Sequence, residues 1–84
     1  MTVALSLLRP SERGTVASVD WDRLGEAEAR RLRELGIDEG AEVEVLHQVR
    51  LGGGPIACRV GRMTVALRRA VAGAIHVAQP TPAE

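Results

Sequence analysis

Arg31-Leu32-Arg33-Glu34-Leu35-Gly36-Ile37-Asp38-Glu39-Gly40-Ala41-Glu42-Val43-Glu44-Val45 decides the fold, because its hydrophobic period changes within a few residues from helical to extended. Upstream, Leu24, Ala27, Leu32 and Leu35 fall on one helical arc. Glu26 and Glu28 come early, where the helix dipole favours acids, and Arg30, Arg31 and Arg33 come late. Gly36 supplies the stop, so the pattern predicts a helix over about residues 24–35. Downstream, Val43 and Val45 alternate with Glu42 and Glu44, which predicts a strand over 41–49 with its valines turned inward.

Working outward, further short strands are expected. Residues 15–20 are rich in β-branched side chains, but Val16 and Val19 lie three apart and break strict alternation, which calls for a bulge. Ile56, Cys58 and Val60 alternate with Ala57 and Arg59 across 55–60. Strands over 63–67 and 74–78 follow, separated by a short helical turn at 68–72. The expectation is a mainly β chain, a small partly open barrel of five strands of SH3 type, with one helix inserted between strands one and two. Residues 1–78 make a single domain and 79–84 a disordered C-terminal tail. Its core is expected from Val16, Leu32, Leu35, Ile37, Val43, Val45, Ile56, Val60, Leu67, Ile75 and Val77.

With 84 residues there is room for one core and none for a deep cleft between two lobes. Hydrophobic residues at 45% exclude a chain too polar to fold. The net charge is zero and every basic residue is Arg, which removes bulk electrostatic support for nucleic-acid binding; a single aromatic residue, Trp21, leaves no stacking platform. Trp21 reads as a lid on the edge of the core. The apolar runs are too short to span a membrane, and the N-terminus lacks a basic region ahead of its leucines, so a cytoplasmic protein is expected. Charge is divided along the chain. Residues 20–44 carry nine acids against four arginines, whereas 45–84 carry five arginines against Glu84. Either the two stretches lie side by side and neutralise one another, or they polarise the surface toward a partner.

The Gly52-Gly53-Gly54 run joins two strands and lacks the Lys-Ser/Thr of a phosphate loop, so it reads as a flexible hairpin connection. No Ser or Cys has a recognisable base and orienting group, and no enzyme is expected. If the 50–55 loop closes with Arg50 opposite Pro55, His47 comes to lie opposite Cys58, and these two with His76 are the candidate metal ligands. A closed tetrahedral site needs four ligands, so Fe²⁺ or Zn²⁺ is expected to bind weakly, with no required cofactor. A second copy of the chain is one source of the missing ligands, and a homodimer is left open.

The ordered series Gly14-Thr15-Val16, the quoted 31–45 stretch, Leu51-Gly52-Gly53-Gly54-Pro55-Ile56, Ala66-Leu67-Arg68-Arg69 and Ile75-His76-Val77 resembles the FeoA family, ferrous iron transport protein A, over about residues 5–78. The loop here is longer and uncharged where the family commonly has Leu-Gly-Asp-Pro. What the resemblance implies is an SH3-like cytosolic accessory of bacterial ferrous iron uptake. Its implied partner is the FeoB membrane permease, which carries a GTP-binding domain on its cytoplasmic side. An alternative is a metal-responsive domain like the SH3-like module of metal-dependent repressors, whose helix-turn-helix these residues lack. For the partner surface, Leu51 is an apolar residue at a loop tip, Gly52, Gly53 and Gly54 let that loop adapt, and Arg59 and Arg62 are expected nearby to meet acidic groups. Arg31, which falls on the apolar arc of the helix, is a further candidate contact.

Overall fold

Alternation sorts the chain into strands that a computed structural model places in one sheet; the structure describes residues 2–48 and 53–79. The strands are β1 (Thr2–Ala4), β2 (Arg13–Val19), β3 (Glu42–Gln48), β4 (Ile56–Val60), β5 (Met63–Leu67) and β6 (Ile75–Ala78), with helices α1 (Glu26–Glu34) and α2 (Arg69–Ala72). They form a six-stranded antiparallel sheet in the order β1-β6-β2-β3-β4-β5. The mainly β expectation holds, while its strand count, its closure and the place of its helix change. There are six strands rather than five, and the sheet is open, with β1 and β5 at its edges. The extra strand is Thr2–Ala4, paired Thr2↔Ala78 to Ala4↔His76; at three residues it is too short to show a period. The helix therefore lies between the second and third strands.

That helix ends as its sequence demands. Gly36 adopts φ +83°, its N–H donates to the Arg33 carbonyl at 3.1 Å, and the Ile37 N–H donates to the Leu32 carbonyl at 2.8 Å. This is a Schellman closure, with the Leu32 and Ile37 side chains both buried beside it. Its start differs: Trp21–Arg23 form a separate 3₁₀ turn, and Glu28 accepts the Gly25 N–H at 3.3 Å to begin α1. The buried face is Ala29 and Leu32, flanked by half-buried Leu24 and Leu35, and Ala27 is exposed. The core joins Leu32 to the inward strand residues, Leu5 and Leu8 from the lead-in, and Val71 and Ala72 from α2. Among the described residues no polar or charged side chain is buried.

Irregularities in the sheet set its curvature. Between β2 and β6 the register shifts from Val16↔Val77 to Ser18↔His76, so Val16 and Val19 both point inward despite their odd spacing, as the sequence predicts. A second shift, in β3, falls between Val45 and His47.

Candidate functional site

Two of the surface hollows bring charged side chains from different elements together. Across the outer face, Arg13 lies opposite Glu44 and Glu44 opposite Arg59. This row borders a shallow hollow of about 380 Å³, with Thr15, Glu42 and Gly61 also in its lining. The Arg59–Glu44 contact is 3.7 Å and partly solvated, so it orients the pair more than it stabilises the fold. The second hollow, of about 300 Å³, lies where α1 meets the end of β5 and α2; Ala27, Leu32, Ala66, Leu67 and Val71 line it, with Glu28, Arg31 and Arg68. Arg68 bonds Glu28 at 3.4 Å.

The expected partner residues that are described lie on several elements. Leu51 and Gly52 lie outside the described residues, as does Arg50. Gly53 is exposed and Gly54 half-buried ahead of β4. Arg59 is exposed on β4, while Arg62 sits in the β4–β5 turn, a strand length from the loop. At about 3.3 Å per residue, the length of β4 separates Arg62 from Pro55 by roughly 16 Å. Arg31 is exposed on α1 and lines the second hollow.

The metal candidates are also kept apart. The β3/β4 register pairs Val43↔Val60, Val45↔Cys58 and His47↔Ala57, which overturns the expected His47/Cys58 juxtaposition. This pairing stacks inward apolar residues and sets Glu44 against Arg59, and the shift before His47 turns that histidine outward. Cys58 is fully buried, and burial pushes its thiol up to about 11, away from the thiolate that metals need. His76, on β6, is half-buried with Nε2 2.8 Å from Asp20 Oδ2. That hydrogen bond, with help from Arg23 at 3.4 Å, holds the Asp20 carboxyl below its ordinary range. Among the described residues no three His, Cys, Asp or Glu converge on a cation position.

The Asp20–His76 pair escapes sequence reasoning because it spans 56 positions and requires the β2–β6 pairing. Trp21 packs on the core edge as a lid. Its Nε1–H donates to Glu39 at 3.2 Å, and the Arg33 guanidinium stands 4.3 Å from the ring centroid.

Comparison with known proteins places this geometry in the SH3-like class. The zinc-complexed FeoA of Stenotrophomonas maltophilia, described as a prokaryotic SH3 domain protein, is 38% identical with a TM-score of 0.76, over 93% of this chain and 89% of that one. The FeoA protein of Chlorobium tepidum is 34% identical with a TM-score of 0.82, over 98% of this chain and 74% of that one. A manganese-dependent transcriptional repressor is 25% identical with a TM-score of 0.82, over 94% of this chain but 42% of the repressor. No match was found among curated proteins. The FeoA domain model matches residues 3–79, and the chain belongs to the FeoA family, which supports a role in ferrous iron transport. No helix among the described residues is long and apolar enough to cross a membrane.

Proposed function

We propose that this protein is a non-enzymatic binding module of ferrous iron uptake that works in the cytoplasm on an FeoB-type permease, through the permease's GTP-binding domain. The observation that carries this reading is the family match over residues 3–79. Exposed arginines suit a modest, charge-steered contact: Arg59 and Arg62 follow the loop in sequence, and Arg31 lies on α1. For the apolar anchor this reading takes Leu51, which lies outside the described residues, followed in sequence by Gly52, Gly53 and Gly54. Micromolar affinity that falls as salt rises is expected, since exposed charges are screened over about 8 Å near physiological ionic strength. Calorimetric titration of the protein into purified permease at low and high salt tests this reading. Binding that weakens with salt and with Leu51→Asp supports it, and no binding at either salt contradicts it.

A metal enters as cargo or weak ligand rather than as a resident cofactor. The relative from S. maltophilia is complexed with zinc, and His76 with Asp20 offers Fe²⁺ or Zn²⁺ an imidazole and a carboxylate. The likeness to the manganese-dependent repressor favours a second reading, a metal-responsive domain. Submicromolar one-to-one metal binding by the isolated chain would select it.

A further inference from the structure

The sheet has two edges and they are unequal. β1 offers three residues, whereas β5 runs five residues, Met63-Thr64-Val65-Ala66-Leu67, with no charge, proline, glycine or bulge inside it. Proteins ordinarily blunt such an edge with one of those devices. Which of its hydrogen-bonding groups turn away from β4 follows from the turn. Gly61, at φ +59°, and Arg62 make a two-residue connection whose closing pair is Val60↔Met63. A turn of that length joins its flanking residues by a hydrogen bond. Met63, Val65 and Leu67 therefore bond β4, and Thr64 and Ala66, both exposed, aim their N–H and C=O groups outward.

Charge at the ends of the edge selects its occupant. Arg62 precedes β5 and Arg68 follows it, with Arg31 near the Arg68 end in the hollow beside α1. A second copy pairing its whole β5 antiparallel about Val65 would set Arg62 opposite Arg68 of the other copy twice, and like charges directly opposite disfavour a pair. The same arginines favour a strand with an acid at each end. Glu28 is the acidic member of that hollow, and its 3.4 Å bond to Arg68 is solvent-exposed and easily exchanged.

We propose that the β5 edge is a strand-addition site for an extended segment of a partner protein that carries acidic residues six positions apart, one facing Arg62 and one facing Arg68. This goes beyond the permease reading, and its assay contains no permease. The probe is a seven-residue peptide with Glu at both ends and alternating Thr and Val between, compared with a Lys-ended twin in an amide NMR titration of the full chain. The expected result is shifts concentrated at 63–67 for the Glu-ended peptide. Ala66→Pro, which removes an outward N–H and leaves the β4 ladder intact, should weaken binding at least about tenfold with the thermal midpoint retained. Should that variant fail to fold, the Arg62→Glu/Arg68→Glu double variant keeps the test, since it should turn the preference to the Lys-ended peptide. Equal binding of both peptides, shifts mapped to another face, or unchanged affinity in the variants would overturn the proposal. So would a concentration-dependent dimer in sedimentation that Ala66→Pro abolishes, which would assign the edge to a second copy.

Discussion

A methyl group at residue 14 would lie 2.4 Å from Val77 Cγ1 and 2.5 Å from the Ala78 carbonyl oxygen, so β2 can cross β6 this closely only with glycine there. Gly14→Ala is expected to destabilise the fold by about 1–3 kcal/mol through overpacking, read as a shift in the urea midpoint. The Asp20–His76 pair makes a second prediction. Its carboxyl is held low when folded, chiefly by the His76 hydrogen bond, and returns to about 3.9 when the chain unfolds. The pair therefore stabilises the fold above that value, and the contribution is lost as pH falls through the lower folded value. Thermal midpoints taken from about pH 6 to pH 2 should fall less steeply for Asp20→Asn than for the native chain. Residue-level legibility was uneven. The spacing of Val16 and Val19 announced a bulge, because a buried strand with the wrong period has few other solutions. The β3/β4 register sent no such signal: a closure with Arg50 opposite Pro55 sets Val45 opposite Val60, whereas Val45 pairs with Cys58, two residues off, and the shift that follows leaves His47 opposite Ala57.

At the scale of elements, β3 was the most legible, and its valines carry the sheet's centre: Val43 and Val45 are buried against Val60 and Cys58. Val45→Ala should cost roughly 1–3 kcal/mol from lost burial and the cavity left behind, measurable by the same urea titration. The C-terminus of α1 was equally plain, because Gly36 and Ile37 specify one closure. Its N-terminus was not, since Trp21–Arg23 carry no helical period of their own and turn as a 3₁₀ segment. β1 stayed hidden for a different reason: three residues gain strand structure only from the partner that pairs with them.

For the molecule as a whole, the division of charge along the chain resolves into neighbours. The acidic stretch meets the basic one at Arg59–Glu44 and Arg68–Glu28, and exposed arginines are left along the β4–β5 side. Composition alone left that choice open, because it needs the β3–β4 register and the packing of α1 beside the end of β5. The separation of His47, Cys58 and His76 sets the metal prediction: Fe²⁺ or Zn²⁺ should bind the monomer no more tightly than micromolar, with Cys58→Ser making no difference. Titration calorimetry checks it, and submicromolar binding that Cys58→Ser abolishes would contradict it. Accumulation of radiolabelled Fe²⁺ in bacteria that carry the permease but lack its FeoA partner tests the proposed role most directly. Supplying this chain should restore uptake, and supplying it to cells without the permease should not. Uptake unchanged by the chain, or raised without the permease, would contradict a permease-bound accessory.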